Sequence, residues 1–242
     1  MWQDNLRGVY YIALKDMKTY YLKPPTISWG IVFPVAWILV FYLRSPRNFE
    51  ELVPGLIAMT ILFSTTALEA VVINFELRIG ALERLLLAPI TISAVLIGKV
   101  LGGAVFGLAM TLLVALGSVL GLGLSVNVLC LVLVVVLSVL AFSALGALVS
   151  VMVKEVFEAQ TLLNLPRFLM VFLCGVFYPI SAMPLVLQYV AYMLPLTYTV
   201  DGVRYAFSSS ANTMVFIDLL VLVAFIVVFI FPAAKLLHRR FA

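Results

Sequence analysis

Residues 126–153 read VNVLCLVLVVVLSVLAFSALGALVSVMV, a run without one charged side chain. An α-helix rises about 1.5 Å per residue, so about 20 residues cross a hydrocarbon layer about 30 Å thick. This run is long enough to span a membrane as a helix. Its continuous apolar character does not fit the alternating strands, about ten residues each, of an outer-membrane barrel.

Further apolar runs repeat this pattern along the chain. They cover 27–43, 53–73, 100–122, 162–178 and 213–234. With a mean hydropathy of +1.22 and a charged fraction of only 11%, no stretch remains for a separate soluble domain. The sequence therefore predicts one all-α, polytopic membrane domain over 1–242 with six transmembrane helices.

Basic residues are distributed unevenly between the predicted loops. With the amino terminus inside, only Arg44, Arg47 and Arg204 fall on the outer side. The cytoplasmic side receives Arg7, Lys15, Lys18, Lys23, Arg78, Arg84, Lys99, Lys154, Lys235, Arg239 and Arg240. Cytoplasmic loops of membrane proteins carry such an excess. We expect a multi-pass protein of a prokaryotic plasma (inner) membrane with both termini cytoplasmic. The net charge of +4 then reflects topology, and we expect no nucleic-acid partner.

An amphipathic pattern occupies 1–25, before the first apolar run. Residues such as Val9 and Tyr10 recur at a helical period, while Lys15 lies elsewhere on the wheel. An aromatic face opposite a basic one is typical of a helix in the headgroup plane. A Lys-Pro-Pro sequence at 23–25 ends the pattern. We predict an interfacial helix that contacts the lipid bilayer.

The segment ELRIGALERLLLAPI at 76–90 interrupts the apolar pattern after the second run. Its charged residues lie opposite its isoleucine and leucines on a helical wheel, which predicts a short cytoplasmic helix over 76–87, ended by Pro89. Thr91 or Ser93 is then positioned to cap the third span. A solvated turn is the alternative, although a dozen residues exceed what a connection needs. The candidate partner-binding residues are Glu76, Arg78, Gly80, Glu83 and Arg84.

Prolines divide the apolar residues 179–210. The piece between the second and third of these prolines is about ten residues long, too short to cross a bilayer. We predict a re-entrant or interfacial hairpin near the outer surface, before the last span. Non-helical backbone at such depth requires protein or water around it, so the hairpin is expected to cover or line a pathway. Its marker residues are Pro184, Pro195, Tyr198 and Arg204.

Two charged residues fall inside predicted spans. Glu69 precedes the cytoplasmic end of its span by about six residues, and Arg167 follows the start of its span by about six, so both lie about 9 Å below the inner surface. Charges at such depth usually face the bundle interior and pair. We hypothesise an ion pair that holds an inner gate. In the alternative, Arg167 extends its guanidinium to the headgroups and Glu69 is protonated or hydrated.

Several of these segments resemble the recurrent elements of the ABC-2 type permeases, the membrane subunits of one class of ABC exporters. They are GALERLL at 80–86 with Pro89 and Gly98-Lys99 following, then Met183-Pro184, Pro195-Leu196-Thr197-Tyr198 and Arg204. The resemblance extends over essentially the whole chain, although the family usually has apolar or small residues around Arg167. It implies an exporter in which two permeases, identical or paralogous, form the pathway. It also implies two cytoplasmic ATPase subunits that drive transport through the 76–87 helix.

The sequence contains no complete phosphate-binding loop, since Gly98-Lys99 is followed by valine. We therefore expect no enzyme activity, catalytic residue, metal or cofactor in this chain, with ATP and magnesium on the partner ATPase. Cys130 and Cys174 lie within apolar runs and His238 in a basic tail, which does not fit a zinc site.

Two other classes of membrane protein remain as alternatives. A secondary transporter is expected to show internal repeats and mid-membrane ionisable groups. An intramembrane enzyme needs a nucleophile with a base, or a metal site. Neither pattern is found in the sequence. Apolar pathway walls suit a drug, a lipid or a lipid-linked saccharide without distinguishing them.

The predicted topology is tested with single cysteines in a cysteine-free background. Cysteines at Asn48 and Ala211 should react with an impermeant maleimide in intact cells, because both positions are expected outside. A cysteine at Phe241 should react only after the cells are opened. Labelling of position 241 from outside would overturn the topology.

Overall fold

The computed structural model describes part of the chain in detail. The described residues are 2–24, 26, 32, 35–37, 39–40, 42–43, 49–208 and 214–241. The predicted first span at 27–43 lies mostly outside them, and the residues of it that are described are helical.

The described residues form helices joined by short connections. These are α1 (Trp2–Asp16), α2 (Phe49–Arg78), α3 (Ala81–Leu86), α4 (Ile92–Leu122), α5 (Val128–Met152), α6 (Val156–Leu173), α7 (Leu185–Tyr192), α8 (Pro195–Phe207) and α9 (Met214–Phe241). Five of them, α2, α4, α5, α6 and α9, are long and apolar enough to cross a membrane. The prediction of an all-α polytopic membrane protein is confirmed.

Local chemistry sets several helix ends. Thr91 caps α4, as one of the two predicted candidates, because its hydroxyl accepts from the backbone N–H of Ala94 at 3.2 Å. Asn127 caps α5 in the same way through the N–H of Cys130, at 3.1 Å. Gly123 ends α4 with a φ of +65°, a conformation that glycine adopts without steric cost.

Several helix ends differ from the apolar runs that predicted them; α6, for example, covers Val156–Leu173 where 162–178 was expected. The second span was expected at 53–73, whereas α2 continues to Arg78, and the third was expected at 100–122, whereas α4 begins at Ile92. The added turns contain polar residues, which a purely apolar criterion leaves out. Asn74 and Glu76 of α2 and Lys99 of α4 have protein partners, which compensates these polar groups within the helices.

Helix α2 lies at the centre of the bundle and packs against α4, α5, α6 and α8. One apolar cluster fills the space among these helices. A second cluster lies at the end of the bundle that carries α3, which we call the α3 end. It contains Ile12 of α1, Ile73 of α2, Leu82 of α3, Leu96 of α4 and Leu237 of α9. Helices α1 and α3 thus share one core.

Glycines allow α4 to approach two neighbours closely. A Cβ on Gly98 would lie 3.0 Å from the Cβ of Ile12, so this face of α4 fits against α1. A Cβ on Gly107 would overlap the methyl group of Thr65, so the next face fits against α2. Gly117 has no heavy atom of another side chain or element within 4 Å of such a Cβ among the described residues. Small residues at helix interfaces permit this packing in membranes.

The packing predicts opposite outcomes for two substitutions in α4. Gly107→Ala should destabilise the protein by about 1–3 kcal/mol, because the methyl group forces α4 from α2. Gly117→Ala is the matched control and should be neutral or stabilising by up to about 1 kcal/mol, since alanine favours helix. Thermal unfolding of the purified variants in detergent compares them. Equal stability of the two variants would contradict the close packing of α2 and α4.

Candidate functional site

The predicted single helix over 76–87 consists of two helical parts with a turn between them. Helix α2 ends at Arg78 and α3 begins at Ala81. Gly80 lies between them with a φ of +67°, a left-handed conformation that interrupts the helix. Only α3 and the turn therefore project from the bundle, and the prediction of one continuous helix is wrong.

Helix α3 combines a buried anchor with an exposed surface. Leu82 is fully buried in the cluster at the α3 end, whereas the side chains of Glu83 and Arg84 are exposed. Ile79 is 51% exposed and Leu87 is 87% exposed, on either side of α3. Apolar side chains exposed beside charged ones are typical of a protein-binding surface. We call Ile79, Glu83, Arg84 and Leu87 the coupling surface.

Arg78 and Glu76, both predicted to contact a partner, have different surroundings. The Arg78 guanidinium is exposed and lies 4.0 Å from the Glu155 carboxylate, a surface pair of little energetic weight. Glu76 is only 1% exposed and lies inside the bundle. The prediction that Glu76 lies on an exposed partner-binding surface is wrong. The turn at Gly80 separates Glu76 from α3.

Glu76 belongs instead to a cluster of three buried charges and the half-buried Lys15, which we call the four-charge cluster. The Lys99 ammonium lies 2.6 Å from Glu76 Oε2 and 3.1 Å from Asp16 Oδ2. The Lys15 ammonium contacts Glu76 Oε1 and lies 2.9 Å from Asp16 Oδ1. The two ammonium groups balance the two carboxylates. A buried charge is stable only with such compensation.

The four-charge cluster connects three helices that are distant in sequence. Lys15 and Asp16 end α1, Glu76 precedes the end of α2, and Lys99 lies in α4. Tyr20 lies beside it, and burial together with the Glu76 carboxylate raises the pKa of the Tyr20 hydroxyl above its usual range. Sequence reasoning missed this cluster. The sequence contained one signal for it, since Glu76 and Lys99, which have opposite charges, lie on either side of the 79–91 segment.

Glu69 lies deeper along α2 and is fully buried. Its Oε2 accepts a hydrogen bond from the Tyr21 hydroxyl at 2.6 Å. Gly103 of α4 and Gly146 of α5 leave the space that this carboxylate occupies, since a Cβ on Gly103 would lie 2.7 Å from Glu69 Oε2. The other oxygen, Oε1, has no hydrogen-bond partner within the described part of the chain.

Arg167 of α6 has its own set of partners. Its Nε donates to Thr66 Oγ1 at 2.7 Å and its Nη1 to Asn164 Oδ1 at 3.1 Å. The guanidinium carbon lies 5.7 Å from the centre of the Phe63 ring, within range of a cation–π contact. Nη2 has no hydrogen-bond partner among the residues that the structure describes.

The structure does not bring Glu69 and Arg167 together. No ion pair joins them among the described residues, because Tyr21 holds the glutamate while Thr66 and Asn164 hold the arginine. Equal depth in the sequence does not determine which helix faces meet. The predicted ion pair is therefore absent from this conformation.

The segment before α9, predicted as a re-entrant or interfacial hairpin, contains the helices α7 and α8. Pro184 immediately precedes α7, and Pro195 is the first residue of α8. The Tyr198 hydroxyl donates to the backbone oxygen of Tyr192 at 2.6 Å, which ties α8 to α7. Arg204 donates to the backbone oxygen of Gly175 at 2.5 Å, which ties α8 to the end of α6. Helix α7 has eight residues and is too short to span a membrane.

A cavity of about 620 Å³ opens at this end of the bundle, which we call the hairpin end. Its walls include Glu50 and Glu51 of α2, Phe177 after α6, and Arg204 and Phe207 of α8. Apolar and charged side chains of both signs therefore meet in one recess. This composition suits the passage or binding of an amphiphilic molecule.

Comparison with known proteins gives consistent matches. The model of the family described as "ABC-2 type transporter" matches residues 7–208. "Inner membrane transport permease YadH" of Escherichia coli (strain K12) is 30% identical over 228 residues, 90% of this chain and 87% of that protein.

More distant relatives come from other lineages. "Nodulation protein J" of Bradyrhizobium diazoefficiens is 26% identical over 211 residues, 84% of this chain and 78% of that protein. "Putative transport permease ycf38" of Cyanophora paradoxa is 26% identical over 208 residues, 78% of this chain and 70% of that protein. These matches and the helical membrane fold agree, and the chain belongs to the ABC-2 type transporter family.

Proposed function

We propose that this chain is the membrane permease subunit of an ATP-driven ABC exporter and is driven by separate ATPase subunits. The coupling surface carries this proposal. It combines an exposed charged pair with two exposed apolar side chains on a short helix that is anchored in the bundle core. Family membership and the name of the Escherichia coli relative support the assignment to transport.

The geometry of α3 suits the transmission of force. Leu82 shares an apolar cluster with Ile73 of α2 and Leu96 of α4, so a displacement of α3 would disturb packing that involves two spans. Glu83 and Arg84 point away from this anchor and are available to a partner. Short helices presented in this way fit grooves on partner proteins, with apolar anchors and charged specificity contacts.

The proposed complex contains two permeases, as two copies or as this chain with a paralogue, and two ATPase subunits that bind ATP and magnesium. It lies in the inner membrane of a prokaryote with both termini cytoplasmic. This orientation is supported by the distribution of basic residues. It would place α3 and the basic end of α9 on the side where ATP is available.

The proposed substrate is a drug, a lipid or a lipid-linked saccharide. The cavity at the hairpin end supports an amphiphilic molecule, because its lining mixes aromatic and charged side chains. ATP hydrolysis by the reconstituted complex, measured across a panel of lipids, glycans and amphiphilic dyes, identifies the class. If no member of the panel changes hydrolysis or moves across the membrane, the proposed substrate classes are wrong.

We further propose that Glu69 and Arg167 pair at another stage of transport and so hold an inner gate. In the present conformation neither Glu69 Oε1 nor Arg167 Nη2 has a hydrogen-bond partner among the described residues. Thr66, which binds Arg167, precedes Glu69 by three residues on α2. A movement of α6 relative to α2 would be needed to exchange these contacts.

Reversal of one charge tests the coupling surface. Glu83→Lys should leave insertion unchanged and weaken binding of the ATPase subunit by about 2–5 kcal/mol if the partner charge is left buried and unpaired. Glu158→Lys makes the same change on an exposed position of α6 and is the control. Co-purification of the ATPase and ATP-dependent transport are measured for both. Normal binding and transport in Glu83→Lys would mean that α3 is only a surface connection.

A charge exchange tests the proposed gate. Glu69→Arg and Arg167→Glu should each impair transport or accumulation, because each places two like charges in the bundle. The double exchange should restore much of the loss, and equal accumulation of the three variants is checked by detection of the protein in membranes. If the loss in the double variant equals the sum of the losses in the two single variants, the residues do not interact.

A further inference from the structure

We infer that Lys99 is a positioning residue. Through its contacts with Asp16 and Glu76, it attaches the surface helix α1 to the part of the bundle that carries the coupling surface. Helix α1 and the adjoining ends of α2 and α4 then move with α3 as one rigid body. The inference rests on the proposed function and extends it to residues that lie outside the coupling surface.

Lys99 lies in the helix that follows the coupling surface and contacts the helix that precedes it. The coupling surface is connected to the bundle by α2 on one side and by α4 on the other. Glu76 lies two residues before the end of α2, and Lys99 lies seven residues after the start of α4. The Lys99 ammonium bridges Glu76 at 2.6 Å and Asp16 at 3.1 Å. One side chain therefore ties both connections of α3 to the last residue of α1.

Burial makes this contact rigid. Asp16 has no exposed surface, and Glu76 and Lys99 are each 1% exposed. In so dry a site the attraction is neither weakened by water nor screened by salt to the extent seen at a surface. Separation of α1 from α4 would leave unpaired charges inside the protein, which is strongly unfavourable.

Apolar packing supports the same unit. Ile12 of α1 lies against Gly98 of α4. A Cβ added to Gly98 would lie 3.0 Å from the Cβ of Ile12. Ile12 also shares a core cluster with Leu82, the buried anchor of α3. Helix α1 thus contacts α4 through a fitted surface and reaches the anchor of the coupling surface through common neighbours.

A cross-link between α1 and α4 measures this attachment without an ATPase. A Cβ on Gly102 would lie 3.6 Å from Ala13 Cα with no clash, which suits a disulfide in Ala13→Cys/Gly102→Cys. Cys130 and Cys174 are replaced by serine in this background. In isolated membranes with copper phenanthroline, the pair should cross-link readily. Adding Asp16→Ala should slow cross-linking, because α1 loses its bond to Lys99.

Asp16→Asn, which keeps the shape of the side chain, is used if Asp16→Ala does not accumulate. Lys99→Arg keeps the charge and should cross-link like the parent protein. Unchanged cross-linking in both Asp16 variants would overturn the inference, since the contact of Asp16 with Lys99 would then contribute nothing to the attachment of α1.

ATP hydrolysis by the ATPase subunits, with and without permease in vesicles of Escherichia coli polar lipids, provides the functional readout. The oxidised cysteine pair should keep the permease-dependent part of hydrolysis, because a rigid unit loses nothing on cross-linking. Asp16→Ala should reduce that part by about tenfold, within the usual range of coupling between sites. Oxidation of the cysteine pair in the Asp16→Ala background should restore it.

Two results would contradict the rigid unit. Loss of hydrolysis on oxidation, reversed by dithiothreitol, would show that α1 must move against α4. Failure of oxidation to rescue Asp16→Ala would show that attachment of α1 is not what the buried charges supply. A wild-type permease that does not bind the ATPase would contradict the proposed function instead, while the cross-linking rates still test the attachment.

Discussion

One ammonium group between two buried carboxylates holds together the end of this bundle that faces its proposed partner. Lys99 meets Glu76 and Asp16 where α4, α2 and α1 converge, and all three side chains are buried. Charges are tolerated there only because they compensate one another. The position of α1 on the bundle and the direction in which α3 projects both follow from this contact and from the apolar cluster beside it.

The chain separates two tasks along the axis of the bundle. Its α3 end is held by buried charges and presents a small surface with Glu83 and Arg84. Its hairpin end has a cavity, and two helices that begin at Leu185 and Pro195. Between the two ends, glycines such as Gly103 and Gly107 let α4 fit closely against α2. Close packing of this kind transmits displacement instead of absorbing it.

Hydrophobic patterning predicted the helical membrane fold because long apolar runs leave the backbone no alternative in lipid. The cap of α4 by Thr91 was also predictable, because a capping residue lies next to its helix in the sequence. The four-charge cluster was not predicted, because Asp16, Glu76 and Lys99 meet only through tertiary packing and the charges that flank the 79–91 segment do not by themselves identify Asp16 as their partner. The separate partners of Glu69 and Arg167 were missed for the same reason, as sequence gives depth along a helix but not the facing direction.

The central claim is that the exposed part of α3 contacts an ATPase subunit, and site-specific photo-cross-linking tests it most directly. Benzoylphenylalanine at Leu87, which is 87% exposed beside α3, should attach covalently to the ATPase in intact cells. The same probe at Leu129, exposed near the start of α5, should not. Attachment at Leu87 only to lipid or to unrelated proteins, with the ATPase present, would contradict the proposed coupling.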